Sequence, residues 1–281
     1  MSEPIGPDGP VPEPPHIVVE RDGPVMTLTL NRPARKNALT VSMIGDITEA
    51  VRAASLDDTT RVILLRAAGV EFCSGIDLVE SNAPSDPSAP RERPRAGHMN
   101  RRLEANPHRM IRELAAAQVP VVAAVRGWAV GIGNMLALSA DVVVATPSTK
   151  FWVPFTTKGF TPDSGNTWLI PRLIGLARAK EMVLRGRPID GETAAAWGLI
   201  GHCVAEEAFE EKVAEIVADF ASAATVSVGL TKSLLHENLE VGLAAALRNE
   251  AIHEELAVRS DDFKEGMRAF TQRRTPDYTG W

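Results

Sequence analysis

Two short stretches of this chain can do chemistry with backbone rather than side chains. F-C-S-G-I-D-L at residues 72–78 and G-W-A-V-G-I-G-N-M-L at residues 127–136 each set a glycine-rich turn between a buried strand and a helix. Such a turn exposes backbone N–H groups, and the helix start that follows adds partial positive charge, so negative charge developing on a bound oxygen is stabilised there. Taken singly, each stretch is equally an ordinary tight turn. The two cysteines, Cys73 and Cys203, are too far apart for a CxxC pair and too few for a disulfide framework, which fits a reducing, cytoplasmic setting. Cys73 lies inside the first turn, but no base at helical spacing is present to lower its pKa, so its thiol is read as structural. No metal-ligand set is read from the sequence.

The elements around these turns follow from periodicity and punctuation. Strand-like runs at His16–Glu20 and Val25–Leu30, separated by R-D-G-P, predict a hairpin. Thr40 predicts an N-cap for an amphipathic helix reaching about Ser55, and R-V-I-L-L-R-A predicts a buried strand. A helix from about Met99 to Ala117 then leads to the strand V-P-V-V-A-A-V-R-G, the helix G-I-G-N-M-L-A-L-S-A and the strand D-V-V-V-A-T. Residues 151–175 are read as a loop-rich passage. The alternation predicts an α/β fold with largely parallel pairing. From about Ala205 the pattern is helical only, and its apolar faces exceed what the helices can bury among themselves, so they must pack on the core or on a neighbouring subunit. The chain therefore divides into a disordered tail at 1–15, a core at 16–204 and a helical oligomerisation region at 205–281.

Composition narrows the classes. The 281 residues carry 30 Lys+Arg against 36 Asp+Glu, a formal charge of -6, which argues against a nucleic-acid partner. The longest uncharged stretch, Gly127 to Ala140, is too short for a membrane span. Half of the 20 prolines fall in residues 1–15 and 84–94, which marks a tail and a mobile surface loop rather than scattered turns.

In order, L-N-R-P-A-R-K-N-A-L-T, the two glycine-rich blocks, P-F-T-T-K-G-F-T-P-D-S-G-N-T-W-L-I-P-R-L-I-G, G-R-P-I-D-G-E-T-A-A-A-W-G-L-I and E-G-M-R-A-F-T-Q-R-R-T-P-D-Y resemble the crotonase (enoyl-CoA hydratase/isomerase) superfamily over about Val18 to Tyr278. The resemblance implies a core of repeated ββα turns wound as a superhelix, with a C-terminal helical region that builds trimers and often hexamers. It also implies an acyl-CoA thioester substrate and no cofactor beyond the CoA carried by that substrate. The family's oxyanion hole falls on the backbone N–H groups of Ile76 and Ile132. CoA contacts fall on Cys73 and Ser74, with Asp77 beside them, on Lys36, and on Arg273 or Arg274 from a neighbouring subunit's tail.

The sequence also departs from the family pattern. Ile132 stands where the family usually has glycine, and a β-branched residue disfavours positive φ and narrows the cavity. Met135 and Phe155 stand where the family's hydratases carry two glutamates, so two-carboxylate hydration is not available from those positions. Asp163 lies in the loop facing the acyl end, where some isomerases and a dehalogenase branch carry a working aspartate. In a pocket with Phe155, Trp152 and Met135 its pKa should be raised. His108 falls where the 4-chlorobenzoyl-CoA dehalogenase branch has a catalytic histidine. The expected activity is double-bond migration with Asp163 moving the proton. The alternatives are a hydrolytic or dehalogenase-like reaction through Asp163 and His108, a strict enoyl-CoA hydratase, and a catalytically weak acyl-CoA-binding scaffold.

Overall fold

A computed structural model describes residues 14–82 and 94–281. The disordered tail expected at 1–15 and the mobile loop expected at 84–94 fall almost wholly outside the described residues.

The hairpin forms as read: β1 (Ile17–Asp22) and β2 (Val25–Leu30) pair antiparallel with Asp22 opposite Val25, closing on Gly23 and Pro24. Thr40 caps α1 (Val41–Ser55), its hydroxyl accepting from the Met43 N–H at 3.1 Å. β3 (Val62–Ala67) and the five-residue α2 (Leu78–Asn82) flank the first glycine-rich turn. The long helix expected over 99–117 is instead two, α3 (His98–Ala105) and α4 (Pro107–Ala116). Pro107 has no N–H for a continuing ladder and forces Asn106 out of helical geometry, at φ -124° and ψ -87°.

β4 (Val121–Val125), β5 (Trp128–Val130) and α5 (Ile132–Leu138) carry the second turn, and β6 (Val142–Ala145) and β7 (Lys150–Trp152) repeat the strand–strand step. The passage expected to be loop-rich holds a long helix, α6 (Asn166–Arg185), broken at Gly175, whose φ of 75° and ψ of 158° are not helical. Pro171 and Gly175 hid it, because both read as breakers. β8 (Ile189–Asp190), α7 (Gly191–Trp197) and β9 (His202–Cys203) complete the core.

Strand order is β1-β2-β3-β4-β6-β9 in one sheet and β5-β7-β8 in a second. Only β1·β2 and β7·β8 are antiparallel. Each β4–β5 and β6–β7 step thus drops the chain from the larger sheet to the smaller one. Strand alternation sorts the apolar side chains: Ile63 and Leu65 face the main core with Leu30, Leu39, Met43, Val121, Leu136 and Phe151. Val62 and Leu64 face the other way, onto Phe209, Val213, Ile216 and Val217 of α8 (Phe209–Ala221). The first of the C-terminal helices is therefore an outer layer of the core.

α9 (Thr225–Glu237), α10 (Leu243–Ala257) and α11 (Asp261–Gln272) follow. Lys232 of α9 is buried and bonds the Asp141 carboxylate at 2.8 Å and the Leu114 carbonyl at 3.2 Å. The chain end returns to α11, where buried Asp262 accepts from the Thr279 N–H at 2.7 Å and the Gly280 N–H at 2.9 Å. Large apolar side chains on this region stay exposed, including Leu243, Leu247, Ile252 and Phe270. Among the described residues no single helix is long and apolar enough to cross a membrane.

Candidate active site

The first turn is held from below by Asn37, a fully buried side chain at φ 53°. Its Oδ1 accepts from the Arg32 N–H at 2.8 Å, and its Nδ2 donates to the carbonyls of Ala68 at 2.9 Å and Glu71 at 2.7 Å. One amide thus ties the loop after β2 to the loop after β3. The two loops then pair: the Leu39 N–H donates to the Gly75 carbonyl, and the Asp77 N–H donates to the Leu39 carbonyl, both at 2.8 Å. In such a parallel bridge the residue between the bonded groups turns its own N–H away from the partner. That residue is Ile76, and its N–H has no acceptor among the described residues.

The second turn does the same by another route. Gly131, at φ 56° and ψ -114°, takes the conformation that a side chain would resist, and its N–H is held by the Trp152 carbonyl at 2.8 Å. Ile132 then opens α5 as an ordinary helical residue, so the positive φ expected to trouble a β-branched side chain falls on its neighbour. As the first helical residue its N–H lacks an i−4 carbonyl and has no acceptor among the described residues. The two turns are in direct contact. A β-carbon on Gly133 would stand 2.6 Å from Cys73 Cβ and Sγ, so only glycine lets α5 sit against the first turn.

Beyond the amides the wall is apolar. Met135 is fully buried and Phe155 is 7% exposed, its ring against Gly131 and edge-on to Phe160 at 5.2 Å. Asp163 lies at this end. It begins a turn in which Ser164 is buried at φ 54°, and the Ser164 hydroxyl donates to Asp163 Oδ1 at 2.8 Å. Gly165 faces Met135 and Ile111, since a β-carbon there would lie 3.4 Å from Met135 Cε and 3.9 Å from Ile111 Cγ2. Burial holds the Asp163 carboxyl above the ordinary carboxylate range, while the Ser164 hydroxyl and the His108 charge draw it part of the way back. His108, one helical turn before Ile111 on α4, is thus near enough to be felt. Its Nδ1 lies 3.0 Å from Glu104 Oε1, a contact that pulls the Glu104 carboxyl below its usual range, with Arg112 adding to the effect.

The fold sets Asp163 within electrostatic reach of His108 across 55 positions of sequence, which no local pattern announces. Cys73 is fully buried and desolvation pushes its thiol up to about 12, which fits an inert role. Its own backbone is engaged, the N–H to the Trp128 carbonyl and the carbonyl to the Val130 N–H. Ser74 gives its N–H to the Lys36 carbonyl at 3.0 Å, which sets exposed Lys36 beside the turn. Asp77 is spent on the fold: it pairs with Arg32 at 2.7 Å and caps the Val79 and Glu80 N–H groups at 3.0 Å. Its carboxyl lies below the usual range, through the Glu80 N–H first and Arg32 second. Arg273 ends α11 at φ 54° with an exposed side chain, whereas Arg274 is held by Glu265. The sequence reading missed Asn37, Arg32 and Glu104, which act by holding other groups. Arg32 and Asn37 had a signal, since both lie inside the L-N-R-P-A-R-K-N-A-L-T block, whereas Glu104 had none.

Comparison with known proteins agrees with this geometry. Residues 20–280 match the enoyl-CoA hydratase/isomerase family profile. The chain is 38% identical over 256 residues to the 1,2-epoxyphenylacetyl-CoA isomerase of Escherichia coli K12, covering 91% of this chain and 95% of that one. It is 32% identical over 264 residues to the 2,3-dehydroadipyl-CoA hydratase of the same organism, covering 94% and 98%. The crystal structure of the enoyl-CoA hydratase from Bacillus anthracis superposes with a TM-score of 0.86 at 29% identity, covering 95% of this chain and all of that one. With unpaired amides at two interlocked turns, a spiral of ββα steps and this breadth of match, the chain is an enzyme of the enoyl-CoA hydratase/isomerase family, in the crotonase superfamily.

Proposed function

We propose that the protein shifts a carbon–carbon double bond in an acyl-CoA thioester, with Asp163 as the group that moves the proton. The thioester oxygen lies between the Ile76 and Ile132 amides. The Asp163 carboxylate removes a proton from the carbon next to the carbonyl, and the electron pair passes into the thioester oxygen as a dienolate held by the two amides. Return of the same proton at the γ carbon completes the shift, with no net gain or loss of atoms. The observation that carries this reading is the combination of one desolvated carboxylate with an apolar Met135 and Phe155 where paired carboxylates would be needed to hold water. A carboxyl with a raised pKa is the stronger base once ionised. The name of the Escherichia coli isomerase, whose substrate is an epoxide, supports isomerisation of an acyl-CoA in general rather than the double-bond shift in particular.

The remaining site assignments belong to the same reading. CoA runs past Ser74, its phosphates meet Lys36 and, in a trimer or hexamer, a neighbour's Arg273, while Cys73 and Asp77 shape the turn. Residues 16–204 form the catalytic core, and 205–281 form the assembly region through the exposed apolar side chains of α10 and α11.

A second reading has a specific observation behind it. The Glu104–His108 contact gives a histidine oriented by a carboxylate within electrostatic reach of Asp163, as a hydrolytic or dehalogenase-like reaction requires. Assay of 3-hexenoyl-CoA isomerisation, crotonyl-CoA hydration and aryl-CoA hydrolysis with wild type, Asp163→Asn and His108→Gln separates the two. Isomerisation lost in Asp163→Asn and kept in His108→Gln supports the proposal. An isomerase rate that is absent in wild type, or unchanged in Asp163→Asn, refutes it. Thioester binding without any turnover favours a scaffold.

A further inference from the structure

Behind Asp163 runs a polar chain that its apolar surroundings do not call for. Asn166, the first residue of α6, is fully buried, and both its backbone N–H (3.1 Å) and its Nδ2 (2.7 Å) donate to the Asp163 carbonyl. That double donation fixes the side-chain amide, because reversing it would set Oδ1 against a carbonyl oxygen. Asn166 Oδ1 must therefore accept, and it meets Nδ2 of Asn134 at 3.5 Å. Asn134 is also fully buried and stands on α5, two residues after Ile132. The chain ends there, since Asn134 Oδ1 has no donor among the described residues. A buried acceptor left without a donor costs more than one long hydrogen bond returns, so apolar residues of similar shape would join α5 to α6 better. Stability does not explain the pair.

The turn it grips needs restraint. Ser164 is a buried non-glycine residue in the left-handed region, a conformation that persists only where neighbours enforce it. We propose that Asn134 and Asn166 are positioning residues, a strut that holds the Asp163 turn in register with the helix that presents the Ile132 amide. The proton-moving group and the oxyanion donor then shift together or not at all. The strut rests on the reading of Asp163 as the proton carrier.

The test uses Asn134→Ala, Asn166→Ala and the double variant in the full-length protein. The readouts are kcat and KM for 3-hexenoyl-CoA, thermal melting, and titration of the Asp163 carboxyl followed by 13C NMR. Misplacing a reacting group by about an ångström costs up to about 100-fold in rate, so each single variant should lose about 10- to 100-fold in kcat with KM within about twofold. The double variant should be no slower than the slower single one, because either substitution cuts the same strut. The loosened turn admits water, so the Asp163 carboxyl should titrate lower than in wild type. His108 of α4, whose charge acts on Asp163 and whose ring contacts Glu104 of α3, is controlled for by repeating the titration in His108→Gln. Asn134→Ala puts a strong helix former in α5, so the comparison stands even where Asn166→Ala folds poorly.

A kcat equal to wild type in folded Asn134→Ala, multiplied effects in the double variant, or an unmoved Asp163 titration would overturn the strut. The two ideas fail separately. Wild-type turnover in Asp163→Asn removes the catalytic reading while the titration still judges the strut, and abolished turnover there beside intact turnover in the asparagine variants removes the strut alone.

Discussion

Ile132→Pro isolates the amide proposed as an oxyanion donor from everything else at its position. Ile132 is the first residue of α5, where the helix makes no use of its N–H and where proline's fixed φ is already suited. Gly131 before it, at φ 56° and ψ -114°, is the mirror image of an extended residue, which keeps a proline Cδ clear of the Gly131 nitrogen. The substitution therefore deletes one donor and leaves the turn in place. Loss of a single oxyanion-hole donor costs about 100- to 1,000-fold in kcat, or about 2.7–4 kcal/mol.

The side chain must be controlled for, because Ile132 is 5% exposed and belongs to the core. Ile132→Ala keeps the N–H and pays roughly 2–5 kcal/mol of stability for the lost packing. In the isomerase assay with 3-hexenoyl-CoA, and in deuterium wash-in at the α carbon of butyryl-CoA, the alanine variant should stay within about tenfold of wild type, with the proline variant at least about 100-fold below it. If a folded Ile132→Pro enzyme turns over within about threefold of Ile132→Ala, this amide is not an oxyanion donor.

Asp163→Asn should trade activity for stability. Because the folded state raises this carboxyl, its contribution to stability is complete below the ordinary aspartate pKa and is lost as pH rises through the raised value. The variant should thus melt above wild type at pH 7, with the gap narrowing towards about pH 4. In wild type, kcat/KM should rise with pH through that same raised value as the base ionises. Ellman's reagent at pH 8 should label the native protein at partly exposed Cys203 alone, so that Cys203→Ser abolishes labelling, while Cys73 reacts only after denaturation. Lys232→Met should lower unfolding free energy by about 2–4 kcal/mol, at the lower side of the range for a broken buried ion pair, since the Val121 N–H still bonds Asp141 at 2.7 Å. Urea melts check it.

What the sequence shows well is what short-range physics determines. Thr40 marks a helix start because its hydroxyl can reach only the first-turn N–H groups, and the unbroken apolar run Val62–Leu65 declares a strand covered on both faces. The two glycine-rich turns were legible for the same reason, being glycines between strand and helix. The break at Asn106 and the helix through Pro171 defeat local reading in opposite directions: one proline splits a helix and the other is absorbed, according to which surrounding contacts repay the lost bond. The partners of Asp163 are further from reach. In sequence Asn134 reads as a helix residue and Asn166 as a loop residue, and only the fold makes them neighbours.

The contact of Gly133 with Cys73 has a consequence for how such an enzyme changes over time. Because the two turns meet at one close approach that tolerates no β-carbon, the half of the site proposed to hold the anion leaves little room for substitution. Under the proposed mechanism, novelty enters through the side chains at positions 135, 155 and 163, whose exchange would alter which proton moves while the two turns keep their backbone. An enzyme built this way could exchange one enolate reaction for another through a few side chains, with the paired turns left as they are.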